Sequence, residues 1–306
     1  MTRIDAATVQ GTLRAAGLRA RHGLSQNFLA DVDVLEAILT EARPSPGRRV
    51  IEIGPGLGLL TGGLLEAGAA VTAVELDRDL AVWLRDRFGE AIGLGLSSDG
   101  PGAHGGLRLI EGDALDQDLT ALVQPPYDVV ANLPYHITSP ILHRLLGETP
   151  RPERLVLMVQ REVAERVAAP PGAMSYLSVF VQYHARVRIV RRVPPEAFEP
   201  APAVESAIIA LEPFTGDDAD LLPPDEEDEL WRLVQAAFRE RRKMIHNVLS
   251  RQLPIGSDRV DAALGAAGIS LDRRPQTLAV GEWLALHEAL GPIGPDQRGR
   301  GRGNGR

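Results

Sequence analysis

Short apolar segments alternate with helical patterns through the middle of this sequence, and this alternation restricts the fold more than any other feature. In RRVIEIGPGLGLLTGGLLEAG (48–68), an apolar strand runs through a glycine-rich turn into a helix. Three further strand patterns follow: AAVTAVELD (69–77), LRLIEGDAL (107–115) and YDVVANLPY (127–135). Strands that alternate with helices at this spacing form parallel βαβ units. We therefore predict an α/β fold with a doubly wound sheet that helices cover on both faces.

The pattern changes after about residue 213. An acidic, proline-containing segment leads into ELWRLVQAAFRERRKMIHNVLSRQL (229–253), in which apolar residues recur at helical spacing. We predict a large domain over residues 1–213, a smaller α-helical domain over residues 214–292 and a disordered Arg-Gly tail over residues 293–306. Near the amino end, DVDVLEAILTEA (31–42) predicts a helix with Asp33 as its cap.

The composition excludes several classes of site. The chain has no cysteine, which excludes disulfides and thiolate metal sites. It has no apolar run of about 18 residues, so we predict no membrane partner. The amino end lacks the compact apolar run of a secretory signal, and we expect a cytoplasmic protein.

The net charge of −8 argues against a nucleic-acid partner until its distribution is considered. Residues 216–229 hold eight acids and no base, so the remainder sums to −8 + 8 = 0. Within that remainder, residues 151–192 carry eight Arg against three Glu, and FRERRK (238–243) carries four bases against one Glu. Such local basic surfaces suit RNA, although each cluster is equally consistent with a solvated helix face.

Glycines and acids follow three successive strands of the predicted sheet. Gly54, Gly56 and Gly58 in EIGPGLG permit a tight turn and close approach of a ligand to the backbone. A dinucleotide fingerprint would need glycine at position 59, whereas G-x-G-x-G after an acid is typical of S-adenosylmethionine (SAM) methyltransferases. Glu75 can accept hydrogen bonds from two ribose hydroxyls, and Asp113 can hold the adenine amine of the cofactor. Since the carboxyl ends of parallel strands share one edge, we predict a SAM site there.

The fourth strand ends in Asn-Leu-Pro-Tyr, beside that predicted site. The side-chain oxygen of Asn132 and the carbonyl of Leu133 can accept hydrogen bonds from one NH₂ group. Pro134 makes the turn rigid, and Tyr135 offers a face on which a base can stack. The methyl group of a sulfonium is already activated, so this chemistry requires no metal and depends mainly on alignment. The motif therefore predicts transfer of a methyl group to a planar amine.

Several ordered blocks resemble the ribosomal RNA adenine dimethyltransferases, which modify two adjacent adenines near the 3′ end of 16S rRNA. The resemblance runs from about residue 18 to residue 290. It rests on LSQNFLAD (24–31), IEIGPGLGLLT (51–61), NLPYHITSP (132–140), AFEPAPAVESAII (197–209) and AFRERRKMIHNVL (237–249). Ser25 stands where the family usually has glycine, and the Gly-rich insert at 93–106 lies outside the resemblance.

The resemblance implies a role for each matching residue. It implies SAM as cofactor and adenines in the 3′-terminal hairpin loop of 16S rRNA as substrate. Separately, we expect a monomer. Phe198 would face Tyr135 across the target base. The block FRERRK would lie along RNA phosphates, through Arg239, Arg241, Arg242 and Lys243. The cofactor-binding residues implied are Asn27, Leu29, Gly54, Gly56, Glu75, Asp113 and Asn132.

Three other functions remain open at this point. A related class methylates an adenine of 23S rRNA and confers macrolide resistance. A ribosome-assembly factor would act mainly by binding, with methylation secondary. A small-molecule methyltransferase would need neither the helical domain nor two Arg-rich patches, so it fits the sequence least.

Overall fold

The computed structural model of the protein describes residues 5–92, 105–214 and 221–293. Most of the predicted Gly-rich insert (93–106) and Arg-Gly tail (293–306) lies at residues 93–104 and 294–306, outside the described residues. The first residue of the predicted tail, Ile293, is described and is buried in the core of the second unit. The chain divides into two compact units. Among the described residues, the first unit holds 5–165 and 184–214, and the second holds 166–183 and 221–293. We had expected residues 166–183 in the first domain, because they follow its sheet in the sequence.

The first unit is built on a seven-stranded sheet in the order β4-β3-β2-β5-β6-β9-β7. Strands β2 to β6 run parallel, β9 is antiparallel to both β6 and β7, and the short β1 pairs only with β8. The predicted α/β fold with a largely parallel sheet is confirmed. The strands are β1 (Phe28–Leu29), β2 (Arg49–Ile53), β3 (Ala70–Glu75), β4 (Leu107–Glu111), β5 (Tyr127–Asn132), β6 (Arg154–Gln160), β7 (Ala185–Val193), β8 (Phe198–Glu199) and β9 (Ser206–Pro213).

The helices of the first unit follow the strands as the alternating pattern predicts. They are α1 (Ala6–Ala15), α2 (Val32–Ala42), α3 (Leu59–Glu66), α4 (Arg78–Arg87), α5 (Leu119–Leu122), α6 (Thr138–Gly147), α7 (Arg161–Val167) and α8 (Tyr176–His184), of which the last two cross the boundary between the units. The predicted cap of α2 is wrong by two residues. Asp31 is the cap and accepts a hydrogen bond from the Val34 amide, because the helix starts at Val32 and already includes Asp33.

Burial of both faces explains why the central strands are continuous apolar runs. In β5, Val129, Val130 and Ala131 are each 1% exposed or less. A strand whose two faces are both covered by helices cannot alternate polar with apolar side chains. Polar residues are therefore displaced to the ends of the strand, where Asp128 and Asn132 lie.

The second unit has its own apolar core, which includes Trp283 and Leu286. Its helices are α9 (Pro224–Phe238), α10 (Ile245–Gln252), α11 (Ser257–Ala266) and α12 (Val280–Leu290). The apolar pattern read from Leu230 to Leu249 is thus divided between two helices. The five consecutive charged residues at 239–243 offer no side chain to this core, and they form the turn between α9 and α10. Across the described residues, none of the helices combines the length and the apolar character needed to cross a membrane.

Gly58 and Gly62 give a matched test of how tightly α3 packs. Gly58 has φ +79°, and a Cβ there would lie 2.5 Å from Cε2 of Phe88 and 2.8 Å from Cδ2 of Leu84. We expect Gly58→Ala to lower the free energy of unfolding by about 1–3 kcal/mol, through backbone strain and overpacking. At Gly62 the nearest atom would be 3.9 Å away. Gly62→Ala should raise stability by about 0.5–1 kcal/mol, because alanine favours the helix. Urea denaturation of both variants checks the prediction, and equal shifts would contradict it.

Candidate functional site

A pocket opens at the carboxyl ends of β2, β3, β4 and β5. The strand order reverses between β2 and β5, since β3 and β4 lie on one side of β2 while β6 lies beyond β5. Open α/β sheets bind ligands at such a reversal. The lining includes these predicted site residues: Asn27, Leu29, Gly54, Gly56, Glu75, Asp113, Asn132, Leu133, Pro134 and Tyr135.

The glycine-rich turn after β2 uses backbone conformations that other residues adopt at a cost. Gly54, Gly56 and Gly58 all have positive φ, at 69°, 59° and 79°. A Cβ at Gly56 would lie only 3.2 Å from the ring of Phe28. The turn therefore brings bare backbone to the pocket, as the sequence predicts.

Glu75, at the end of β3, is 5% exposed and is held by two backbone amides. Oε2 accepts from the Gly56 amide at 3.0 Å, and Oε1 accepts from the Asp77 amide at 2.8 Å. Burial raises the pKa of this carboxyl above its usual range. Each oxygen of a carboxylate can accept a second hydrogen bond, so the group can still take two hydroxyl donors from a ligand.

Asp113 lies in the turn that follows β4. Its Oδ1 accepts from the Leu115 amide at 2.8 Å, and its backbone carbonyl accepts from the amides of Asp116 and Gln117 at 3.0 and 3.2 Å. The side chain is half-buried and borders the pocket. Since Oδ1 holds the turn, Oδ2 is the oxygen left for a ligand.

The Asn-Leu-Pro-Tyr motif forms the side of the pocket at the end of β5. Nδ2 of Asn132 donates to the carbonyl of Asn27 at 3.2 Å, so Oδ1 remains as an acceptor. The Leu133 amide donates to the Met158 carbonyl at 3.1 Å, and Pro134 has φ −55°. The half-buried Tyr135 shares a hydrogen bond of 2.8 Å with Oγ of Ser206, which anchors the hydroxyl end of its ring.

Residues 24–29 add a wall that does not come from the main sheet. Gln26 donates to Oδ2 of the buried Asp77 at 2.8 Å, and Nε of Arg21 lies 3.3 Å from the same oxygen. Asn27 donates from Nδ2 to the Ser25 carbonyl at 3.1 Å. Ser25 has φ +51°, a conformation that favours glycine, so the serine adopts it at a cost.

The structure does not bring Phe198 to the pocket. Phe198 pairs with Leu29 between β8 and β1, is 2% exposed and belongs to the apolar core of the first unit. It is absent from the residues that line the pocket. The stacking role that the resemblance implies would require its side chain to leave this core.

Comparison with known proteins identifies the family. A family model described as "Ribosomal RNA adenine dimethylase" matches residues 17–290. The chain belongs to this family. It is 42% identical over 283 residues to the "Ribosomal RNA small subunit methyltransferase A" of Synechococcus sp. (strain CC9605), with 90% of this chain and 97% of that protein covered.

Two solved structures share the fold of the family over most of this chain. One is a dimethyladenosine transferase from Plasmodium falciparum, with TM-score 0.70, 26% identity and coverage of 85% of this chain and 95% of that one. The other is the 23S rRNA methyltransferase ErmE, with TM-score 0.66, 29% identity and coverage of 86% and 99%. The predicted family and fold are thereby confirmed, and the chain is an rRNA adenine methyltransferase.

The basic residues predicted to bind RNA in this dimethylase lie in the second unit. Arg239, Arg241, Arg242 and Lys243 form or adjoin the turn between α9 and α10, and all four are exposed. Arg239 donates to Oε1 of Gln252 at 3.0 Å. Among the described residues, Arg241, Arg242 and Lys243 have no ion-pair partner. Their charges are therefore available to a polyanion.

Glu52 also lines the pocket. The sequence pattern gives it no role other than that of the acid that precedes the G-x-G-x-G glycines. It lies in β2, is 1% exposed and accepts a hydrogen bond from Oγ1 of Thr61 at 2.7 Å. Burial raises its pKa to about 8, against the ordinary 4.5, and the charge of Glu75 acts in the same direction. A charged residue inside an otherwise apolar strand is the sequence signal that marks it.

The raised pKa of Glu52 predicts how stability depends on pH. The folded chain keeps this proton up to about pH 8, whereas the unfolded chain releases it near 4.5. Stability from this group is therefore complete below 4.5 and is lost as the pH rises toward 8, by a few kcal/mol in total. Glu52→Gln should remove that loss. Urea denaturation of the ligand-free protein between pH 5 and 9 measures it, with the exposed Glu111→Gln as control. Parallel curves for Glu52→Gln and the wild type would contradict the assignment.

Proposed function

We propose that this protein transfers methyl groups from SAM to the N6 amine of two adjacent adenines in the 3′-terminal hairpin loop of 16S rRNA. The observation that carries the proposal is the side-by-side placement of two acceptor sets at one sheet edge. Glu75 and Asp113 suit a nucleoside, and Asn132 with the Leu133 carbonyl suits an amine. Family membership already makes ribosomal RNA adenine the substrate class.

The cofactor half of the pocket fits SAM in its donor set. Glu75 retains acceptor capacity for the ribose hydroxyls, and Asp113 retains Oδ2 for the adenine amine. The glycine turn packs closely on Phe28, because a Cβ at Gly56 would lie only 3.2 Å from the Phe28 ring. When bound, SAM supplies a methyl group that its sulfonium already activates. No acid, base or metal is then needed to activate the donor.

The acceptor half accounts for the choice of an aromatic amine. The lone pair of such a nitrogen is delocalised into the ring, which makes it a poor nucleophile. Two acceptors on its hydrogens favour the pyramidal geometry that frees the lone pair. Asn132 Oδ1 and the Leu133 carbonyl can accept those hydrogens, while Tyr135 offers a face for the base. An adenine must leave its stack to reach them, which is easiest in a loop.

Similarity to named relatives supports the small subunit as the target. The relative at 42% identity is named a small subunit methyltransferase, while ErmE, named a 23S rRNA methyltransferase, is 29% identical. The second unit, with its exposed basic turn, supplies a surface for RNA phosphates. We propose that it is the RNA-binding domain and that the protein acts as a monomer in the cytoplasm.

Replacement of Asn132 tests the acceptor mechanism. Asn132→Ala removes one of the two acceptors and should lower kcat for methyl transfer by about 10²–10³-fold, as loss of an aligned polar group at a reacting centre does. The assay measures incorporation of labelled methyl groups into small subunits that lack the mark, followed by mapping of the modified bases. Asn247→Ala, in the second unit, controls for loss of an asparagine. Full transfer by Asn132→Ala would refute the mechanism, and methyl groups in 23S rRNA would refute the substrate.

Removal of the basic turn tests the RNA surface. The triple variant Arg241→Ala, Arg242→Ala, Lys243→Ala should bind small subunits less tightly. It should also reduce the slope of log K against log salt by about 2–3, since each lost phosphate contact removes roughly 0.7–0.9. Arg232→Ala is the control, because Arg232 pairs with Glu229 at 3.0 Å. An unchanged salt slope in the triple variant would exclude this turn from the RNA interface.

A further inference from the structure

Arg144 links the helix that follows the acceptor motif to the turn that carries Asp113. It lies in α6, and its Nη1 donates to the carbonyls of Ala114 at 3.1 Å and Leu115 at 2.7 Å. Its other nitrogens donate to the carboxylate of Glu148 at 3.0 and 3.3 Å. The guanidinium is thus fully engaged on two sides. On one side it forms an ion pair with Glu148, which caps its own helix, and on the other side it contacts the turn that follows Asp113.

The turn at 112–117 is held by backbone hydrogen bonds, from Gly112 to the Glu75 carbonyl and from Asp116 and Gln117 to the Asp113 carbonyl, and by Arg144. Asp113 Oδ1 accepts from the Leu115 amide, so the orientation of its carboxylate follows the conformation of the residues after it. The carbonyls that Arg144 holds belong to the next two residues along the chain. Hydrogen bonds from a charged donor are stronger than those between neutral groups. Arg144 therefore restrains the part of the turn that sets the direction of the Asp113 side chain.

The position of α6 gives this restraint a second consequence. The helix begins at Thr138, directly after the Asn132–Tyr135 motif. The guanidinium of Arg144 reaches from this helix to the carbonyls of the two residues that follow Asp113. The turn that holds the proposed adenine site and the motif that holds the proposed amine site are thus joined by one side chain. A shift of either relative to the other would disturb alignment, on which transfer depends.

We propose that Arg144 is a positioning residue that orients Asp113 for the cofactor and keeps the cofactor and acceptor halves of the pocket in register. This inference rests on the proposed function, because it takes Asp113 as a cofactor ligand. Arg144 does not line the pocket and touches no reacting atom. Its effect passes through the turn alone.

The expected effect is on cofactor binding first. Arg144→Met removes both carbonyl contacts and keeps most of the apolar stem, and it should raise the Kd for S-adenosylhomocysteine about tenfold. The KM for SAM should rise similarly, with a smaller change in kcat at saturating cofactor. Arg144→Lys retains a charged donor and should recover part of the affinity. Isothermal titration gives the Kd, and thermal unfolding verifies that each variant is folded.

Two nearby substitutions distinguish positioning from a general loss of stability. Arg151 donates from Nε to the Leu146 carbonyl near the carboxyl end of α6, so Arg151→Ala loses an arginine-to-carbonyl contact that does not reach the pocket. Glu148→Gln weakens the ion pair but leaves the contacts of Arg144 with the turn. Both should bind S-adenosylhomocysteine as the wild type does. A tenfold loss in Arg151→Ala equal to that in Arg144→Met would overturn the proposal.

A double-mutant cycle with Asp113→Ala decides whether Arg144 acts through Asp113. In the Asp113→Ala background, adding Arg144→Met should cause little further loss of affinity. Fully additive losses of affinity would contradict the role of Arg144, while the assignment of Asp113 as a SAM ligand would stand. If Asp113→Ala alone leaves affinity unchanged, the assignment of Asp113 in the proposed function fails instead. If Asp113→Ala weakens binding and Arg144→Met does not, only the role of Arg144 fails.

Discussion

The parallel pairing of β2 with β5 is the constraint on which the rest of the site depends. Arg49 to Glu52 pair in register with Tyr127 to Val130, so the two strands end side by side. Between them the chain passes through β3 and β4 on the far side of β2. The loops after β2 and β5 therefore diverge from a common edge, and the space between them is the pocket. The glycine turn and the Asn-Leu-Pro-Tyr motif are neighbours for this reason, although about 75 residues separate them in the sequence.

Buried carboxylates give this edge its chemical character. Glu52 and Glu75 both lie at the ends of strands with almost no exposure to water, and burial raises the pKa of each. A buried charge is tolerated only when it is hydrogen-bonded. Glu75 is satisfied by the amides of Gly56 and Asp77, and Asp77 in turn binds Gln26. The segment at 24–29 is thus joined by hydrogen bonds to the carboxylate that we propose binds the ribose.

The strands and the edge of the sheet were predictable because they follow from local patterns. Apolar runs of five or six residues, each ending at a glycine, an acid or an asparagine, identify the first four parallel strands and their carboxyl ends. The position of Phe198 was not predictable, because its burial results from the pairing of β8 with β1, two short strands about 170 residues apart. The grouping of residues 166–183 with the second unit has a similar cause, because Met174 and Tyr183 share a core with helices that begin at residue 224. Arg144 gave no signal at all, since a single arginine on an amphipathic helix is indistinguishable from a solvated one.

The hydrogen bond from Asn132 to the Asn27 carbonyl has a consequence for the timing of organisation in the pocket. An asparagine amide on a free strand end can rotate, and a substrate that must select one orientation loses affinity or rate in doing so. Here the folded backbone of residues 24–29 selects the orientation beforehand. The acceptor oxygen is therefore preorganised, and its entropic cost is met during folding, before any base enters. A segment near the amino end of the described chain, distant in sequence from the motif, thus sets the direction of the oxygen that we propose accepts the substrate amine.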